Sequence, residues 1–276
     1  MGTRVPGLWL PSVVLRIVPT SLYIPDVFHV QRQFTFKKSR CDSCGPAVIS
    51  GYLKTRTAIM KTLMVIAALC AVSKAQFPNG RILEPPVPAL CAQRVIHERT
   101  PDGKGYFFSW RDPATKNTEL DWLDGRNFCR KRCMDLVSLE TSAENEWIKK
   151  HIVDDKVKYI WTSGRLCDFA GCERADLQPP RVNGWFWTAV LQKLAPTTRR
   201  DQNDWSESGG IGRPQPDNRE EIQGGAPENC VAVLNQFYND GVNWHDVACH
   251  HVKPWVCEEN EDLLKYVRYT NSNLQI

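Results

Sequence analysis

Four short stretches in the second half of the chain decide its fold: Gln215-Pro216-Asp217-Asn218, Glu228-Asn229-Cys230, Trp244-His245-Asp246-Val247-Ala248-Cys249 and Trp255-Val256-Cys257. Acid and amide side chains cluster in three of them, each beside a cysteine or a proline. Ca²⁺ takes six to eight oxygen ligands, so several loop segments must converge on it. The pattern therefore predicts a calcium site built from loops. One residue in it, His245, is unsuited to calcium.

The charge of the chain is unevenly distributed. The 276 residues carry a formal net charge of +4. Residues 1–75 contain 10 basic and 2 acidic side chains, whereas residues 76–276 contain 25 and 29. Nucleic-acid binding depends on neutralising phosphates with Lys and Arg, so the acidic remainder is not expected to bind nucleic acid.

Residues 60–75 have the layout of a secretory signal peptide. Met60 precedes one lysine, and an apolar run follows from Leu63 to Val72. Ser73 and Ala75 supply the small residues that a cleavage site requires. The run is short for a bilayer span. We expect cleavage after Ala75 and a secreted, extracellular protein without a membrane span. A buried internal helix or an anchor is the alternative.

Residues 1–59 precede this segment and show no helical or strand periodicity. Because a signal peptide begins a protein, we interpret Met60 as the true start and residues 1–59 as non-native, disordered upstream sequence. A genuine N-terminal extension is the alternative. Cys41 and Cys44 have no second Cys/His pair spaced for zinc nearby, so they are not interpreted as a metal site.

The cysteine count indicates disulfides. The chain has 11 cysteines. Setting aside Cys41, Cys44 and Cys70 leaves an even set of eight, which in a secreted domain indicates disulfide bonding. Eight cysteines permit 105 pairings, and their positions alone do not select one.

Periodicity predicts helices and strands after an extended, proline-rich lead-in over residues 76–102. Helices are predicted over 120–132 and 142–152, the second with a capping box at Thr141 and Glu144. Strands are predicted at 106–110, from 159 onward, at 230–234 and at 255–258. The tail, 260–276, is expected to begin as a helix.

The long segment from Gly164 to Asn229 has many glycines and prolines and few regular signals. A loop of this length in a compact domain is usually functional or disordered. Trp185, Trp187 and Trp205 lie within it, and tryptophan side chains favour burial. We therefore expect the segment to be ordered.

Taken in order, these motifs resemble the C-type lectin-like domain. The resemblance rests on Trp122-Leu-Asp-Gly-Arg-Asn-Phe-Cys-Arg130, on Met134-Asp-Leu-Val-Ser-Leu-Glu140 and on the four stretches quoted first. It covers residues 103–259 and is strongest to the secreted single-domain C-type lectins of arthropods. It implies an α+β fold, with two helices flanking small antiparallel sheets and a long loop region stapled by disulfides. The resemblance implies the pairs Cys129–Cys257 and Cys230–Cys249. Cys167 and Cys172 are near enough in sequence to pair locally, which leaves Cys91 with Cys133.

The resemblance also implies a binding site. In sugar-binding members, one Ca²⁺ is held by side-chain oxygens and ligates two sugar hydroxyls. The peptide before Pro216 is expected to be cis. The order Gln-Pro-Asp is similar to that of members preferring galactose-type sugars. The implied carbohydrate-binding positions are Gln215, Asp217, Glu228, His245 and Asp246, and stacking aromatics are sought among Trp205, Phe237, Tyr238 and Trp244, although Trp244 also suits the core.

His245 departs from the family, which has asparagine at this position. Asparagine offers calcium a carbonyl oxygen, whereas histidine offers a nitrogen, a poor ligand for a hard cation. The metal ligands that remain are Gln215, Asp217, Glu228 and Asp246. We expect calcium-dependent binding of glycans or extracellular glycoproteins, in immunity or adhesion. A direct hydrogen bond from His245 to the sugar is an alternative role for this residue. Calcium-independent binding of protein or matrix ligands, in a structural or adhesive role, is the alternative.

Two other classes of site are disfavoured. Cys249, His250 and His251, with His245 nearby, suggest zinc. However, Cys249 belongs to an implied disulfide, and two neighbours at the start of a strand point opposite ways. Carboxylate pairs at 220–221 and 258–259 are expected on surface segments, and no nucleophile motif accompanies them. The chain is therefore not expected to be an enzyme.

Overall fold

The structure, a computed structural model, describes residues 80–168 and 171–276. The segments 1–59 and 60–75 and the first four residues of the lead-in lie outside the described residues. The α-helices are α1 (Pro88–Ala92), α2 (Trp122–Arg130), α3 (Ser142–Asp154), α4 (Pro180–Asn183), α5 (Arg219–Ile222) and α6 (Glu261–Thr270). The strands are β1 (Glu98–Arg99), β2 (Gly105–Phe108), β3 (Met134–Leu136), β4 (Tyr159–Leu166), β5 (Trp185–Trp187), β6 (Gln192–Lys193), β7 (Cys230–Asn235), β8 (Val242–Val247) and β9 (Val256–Glu259). None of the helices within the described ranges combines the length and apolar character needed to cross a bilayer.

Two antiparallel sheets form the framework, with strand orders β1-β2-β9-β3 and β6-β5-β4-β7-β8. Strand β7 separates two cores because successive side chains point to opposite faces of a sheet. Val231 and Val233 join one hydrophobic cluster together with Ile148 of α3. Ala232 joins the other together with Trp122 of α2. The fold class is α+β, as predicted.

Helix α3 begins as its sequence predicts, with one change of partner. The Thr141 hydroxyl accepts a hydrogen bond from the Glu144 amide at 3.1 Å. The Glu144 carboxylate, however, accepts from the amide of Glu140 at 3.3 Å, one residue before the cap. Its other oxygen accepts from the Tyr106 hydroxyl at 2.6 Å. The start of the helix is thereby tied to strand β2.

Four disulfides among the described residues hold the elements together, and they are the four predicted pairs. One joins α2 to β9, another joins the start of β7 to the turn after β8, a third ties α1 to the turn before β3, and the last closes a short loop after β4. The bond between α2 and β9 spans 128 residues. In the chain-entropy account, closing so long a loop stabilises the fold by about 4–5 kcal/mol. The pairs are Cys129–Cys257, Cys230–Cys249, Cys91–Cys133 and Cys167–Cys172.

The tail beyond β9 belongs to the packed structure. Helix α6 is capped at its start by the Asn260 side chain, which accepts from the Leu263 amide at 3.0 Å. Leu264 and Val267 are buried against the Cys91–Cys133 disulfide. The helix therefore covers a disulfide that would otherwise face solvent.

A buried ion pair links α2 to the first sheet. Asp135, in β3, has no exposed side-chain surface. It accepts hydrogen bonds from Arg126 Nε at 2.8 Å, Arg126 Nη2 at 3.1 Å and Arg130 Nη1 at 3.1 Å. Arg126 also donates to the Thr188 carbonyl oxygen at 2.9 Å, which extends the network to the end of β5.

The expectation that Glu258 lies on a surface segment is wrong. Its side chain is 3 % exposed, because residue 258 faces inward from β9 between β2 and β3. Burial raises the pKa of Glu258 well above its usual range, and the Lys104 ammonium, 3.5 Å away, opposes that rise. Lys104 Nζ also lies 3.7 Å from Glu144 Oε1. Glu258 is therefore buried within the fold, and its contact with the partly exposed Lys104 has a structural role.

Candidate functional site

Tryptophan rings of the long segment between β4 and β7 pack against one another and against Trp244 of β8. Trp185 and Trp205 meet edge-on with ring centroids 5.0 Å apart, as do Trp187 and Trp244. Trp205 and Trp244 lie 6.0 Å apart, and all four are at most 5 % exposed. The described part of the segment, residues 164–168 and 171–229, is therefore ordered, as expected. Trp205 and Trp244 belong to the core, so neither can stack on a sugar.

Three carboxylates converge at the end of this segment. Oxygen atoms of Asp217, Glu228 and Asp246 all lie within 4.8 Å of one another. The Gln215–Pro216 peptide is cis, as the resemblance implies, and the Gln215 side chain lines the same cavity. Residues from the long segment and from β8 are thus brought together, as the sequence motifs predict.

Backbone amides fix the geometry of this cluster. Asp246 Oδ1 accepts from the Asp217 amide at 3.0 Å, and Oδ2 accepts from the Asn218 amide at 2.8 Å. Asn218 has a left-handed backbone, with φ of 51°. Its side-chain oxygen accepts from the Glu228 amide at 3.1 Å. The segments that carry Asp217, Glu228 and Asp246 therefore hold one another in place through direct hydrogen bonds.

The electrostatics of the cluster favour a bound cation. Burial, followed by the charge of Glu228, raises the pKa of Asp246 to about 7. Burial also raises the pKa of Glu228, and the charge of Asp217 adds to that rise. One oxygen each of Asp217 and Glu228 is buried without a hydrogen-bond donor among the described residues. Arg181 Nη1 forms a long ion pair with Asp246 Oδ2 at 3.8 Å, so one guanidinium faces three carboxylates. Oxygen donors of this charge and burial fit Ca²⁺.

His245 is directed to a different partner. Its side chain is 2 % exposed, and Nε2 lies 2.9 Å from Asp240 Oδ2. The contact pairs a buried imidazole with a buried carboxylate. Burial lowers the pKa of His245, and the Asp240 charge partly offsets this. Asp240 also accepts from the Ser206 hydroxyl. The ring therefore has a buried acidic partner beside the carboxylate cluster.

The cluster opens into a cavity of about 340 Å³. Phe237, 49 % exposed, and Tyr238 line one side of it, with ring centroids 4.9 Å apart. Lys253 lines another part, with its ammonium 4.5 Å from the centre of the Tyr159 ring. Burial lowers the pKa of Lys253 to about 8. Phe237 and Tyr238 are the two predicted aromatic residues that a ligand can reach.

The prediction that His250 and His251 lie at the start of a strand, with their side chains on opposite faces, is wrong. Both residues lie in a turn after β8, not at the start of a strand. Their rings stack with centroids 4.6 Å apart, and both approach the carboxylate of Glu220. Adjacent histidines in a sequence signal a metal site, but nothing in their spacing indicates Glu220 as the third member. Lys253 was missed for the same reason, since only the folded turn places it in the cavity.

Known proteins with similar sequences are C-type lectins. No family model matches the chain. The chain is 25 % identical to L-selectin of Bos taurus over 169 residues, which cover 61 % of this chain and 35 % of the relative. It is 26 % identical to asialoglycoprotein receptor 2 of Rattus norvegicus over 161 residues, 58 % of this chain and 40 % of the relative. The chain thus matches less than half the length of either relative.

Solved structures with a similar fold include the carbohydrate-recognition domain of the mouse scavenger receptor C-type lectin. It has a TM-score of 0.40 and 22 % identity, and the match covers 59 % of this chain and 94 % of that one. The cow CD23 domain, solved in the presence of a GlcNAc2Man3 oligosaccharide, has a TM-score of 0.36 and 21 % identity, with 56 % and 86 % covered.

The described residues have the two-sheet, disulfide-stapled fold of a C-type lectin-like domain, and the sequence is similar to those of C-type lectins. Such domains are binding modules, and the relatives are lectins rather than enzymes.

Proposed function

We propose that this chain binds carbohydrate through a calcium ion held by Gln215, Asp217, Glu228 and Asp246. The observation that carries the proposal is the convergence of three carboxylates, two of them with an unpartnered buried oxygen, at the floor of an open cavity. Like charges so placed repel one another unless a cation lies between them. A bound Ca²⁺ would supply open coordination positions for two sugar hydroxyls.

The surrounding residues would orient the sugar. Gln215 and Asp217 occupy the order that the resemblance associates with galactose-type sugars. Phe237 and Tyr238 present ring surface beside the cavity, and an aromatic face can stack on the apolar face of such a sugar. The backbone amides of Asp217 and Asn218 keep Asp246 in place for the metal.

Calcium and galactose binding can be tested with the full chain. Calcium is expected to raise the melting temperature in proportion to the logarithm of its concentration, because it binds the folded form alone. Galactose resin should retain the chain in calcium and release it with EDTA. Glu228→Gln should abolish both effects. Glu207→Gln, in the same segment but outside the cavity, removes the same charge and should preserve them.

If calcium does not stabilise the chain and a glycan array gives no signal, the proposal is wrong. The second candidate, a calcium-independent module for protein or matrix ligands, would then be favoured. The observation behind this candidate is His245, which places a nitrogen where the lectin resemblance expects an oxygen and is already paired with Asp240.

We further propose that residues 60–75 direct secretion and are removed after Ala75, leaving a mature chain that begins at Gln76 and carries the lectin-like domain over 103–259. Four disulfides support an oxidising destination, because such bonds persist outside the reducing cytosol. Terminal sequencing of the secreted protein should begin at Gln76 or an immediate neighbour. A mature chain that retains residues 60–75 would refute this proposal.

A further inference from the structure

A second group of metal-ligating side chains lies beside the carboxylate cluster. Glu220, His250 and His251 each offer a ligand atom, and these three atoms lie within 4.8 Å of one another. His251 Nε2 is 2.8 Å from Glu220 Oε2, and His250 Nε2 is 3.9 Å from Glu220 Oε1. The two imidazoles thus present the same nitrogen to the same carboxylate.

The backbone on both sides fixes this arrangement. His250 follows Cys249, which is bonded to Cys230, and the His251 amide donates to the Ala248 carbonyl oxygen at 3.1 Å. The disulfide and this bond hold the two histidines in a tight turn. The rings are therefore presented side by side, rather than on opposite faces of a strand.

Glu220 is fixed from the other side. It lies in α5, and its carbonyl oxygen accepts from the Gly225 amide at 2.8 Å. A Cβ atom at position 225 would lie 2.7 Å from Glu220 Cγ. Glycine at this position therefore leaves room for the Glu220 side chain to extend toward the histidines.

The donor set differs in kind from that of the neighbouring cluster. Two imidazole nitrogens and one carboxylate suit Zn²⁺, whereas Ca²⁺ takes oxygen alone. Tetrahedral Zn²⁺ with bonds of about 2.0–2.1 Å needs ligand atoms about 3.3 Å apart. The imidazoles of His250 and His251 are 62 % and 44 % exposed, so small side-chain rotations can close the remaining gap.

We propose that Glu220, His250 and His251 form a zinc site that joins helix α5 to the turn after β8. Zinc there would link the segment that follows the Gln-Pro-Asp motif to the disulfide-bonded end of β8. Glu220 and His251 also line the cavity, so the free coordination position of the metal is accessible to water or to a ligand. None of its three ligands belongs to the proposed calcium site, although both sites line the same cavity.

Equilibrium dialysis of the untagged full chain against Zn²⁺, with calcium present, tests this proposal. His250→Ala and His251→Ala should each lower the affinity for one equivalent of zinc. Loss of an outer-shell partner lowers metal affinity roughly 10–100-fold, and loss of a direct ligand should cost at least as much. Glu220→Gln should weaken the same equivalent. Glu221→Gln, which removes a charge from the same helix but faces Arg181, is the matched control and should leave zinc unchanged.

Substitution with Co²⁺ gives an independent readout, because tetrahedral cobalt with nitrogen ligands absorbs strongly in the visible range. That band should be lost in the histidine variants and kept in Glu228→Gln. Zinc binding that survives both histidine substitutions, or that disappears in Glu228→Gln, would overturn the proposal, since the metal would then lie elsewhere or in the carboxylate cluster.

Discussion

Replacement of His245 by asparagine is expected to tighten calcium binding about 10–100-fold, equivalent to roughly 1.4–2.8 kcal/mol. Histidine offers a hard cation only a nitrogen, and its ring is held against Asp240. Asparagine would add a carbonyl oxygen to Gln215 and the three carboxylates. Retention on galactose resin should increase in parallel, because the sugar is proposed to bind through the metal.

The same variant should be less stable when calcium is removed. Asp240 would lose the imidazole 2.9 Å away, and truncating the partner of a buried polar group costs about 1–3 kcal/mol. His245→Ala is the matched control, since it loses that contact and supplies no oxygen. Calorimetric titration and thermal melts measure both quantities. A folded His245→Asn variant with unchanged calcium affinity would contradict the assignment of position 245 to the calcium site.

Replacement of Asp135 by alanine is expected to lower the free energy of unfolding by about 3–5 kcal/mol, the cost of removing one partner from a buried ion pair. Arg126, only 7 % exposed, would keep its charge without the carboxylate that accepts two of its hydrogen bonds. Arg130 would lose a further bond. For a domain of this size, the melting temperature should fall by about 6–20 °C.

Asp154→Ala provides the control for this measurement. Asp154 pairs with Lys150 on the exposed surface of α3, and exposed pairs on helices contribute only about 0.3–0.5 kcal/mol. Urea unfolding of both variants, with the slope compared to that of the parent, gives the two differences. A loss below about 1 kcal/mol for Asp135→Ala would mean that the network does not stabilise the fold in the way described.

The scaffold could be predicted because its signals are local or strictly ordered along the chain. The Thr141 cap lies three residues from the amide it satisfies. The cysteines resemble those of a known domain closely enough to imply two disulfides, and proximity in sequence then gives the other two. The convergence of Asp217, Glu228 and Asp246 follows from the same order of motifs. Each of these features depends on residues whose neighbours in space are set by the framework itself.

The other contacts in and near the site could not be predicted, because they depend on how distant parts of the chain fold together. No local sequence pattern indicates that. Glu220 meets His250 and His251 because α5 follows a left-handed residue, Asn218, and a short turn ends at Gly225. The burial of Glu258 was not predicted, because two adjacent glutamates usually indicate a solvent-exposed segment. Its partner Lys104 is 154 residues away in sequence, so only the pairing of β2 with β9 brings them together.

The packing of Trp185, Trp187, Trp205 and Trp244 against one another has a further consequence. Three of them belong to the long segment between β4 and β7 and pack into the core that α3 and β7 also line, so the fold of this segment is maintained by packing as well as by any ion. An exposed side chain at the cavity rim, such as Phe237, can therefore be exchanged with little effect on the packed residues below it. New ligand preferences can then evolve, or be engineered, on a loop whose shape is already secured.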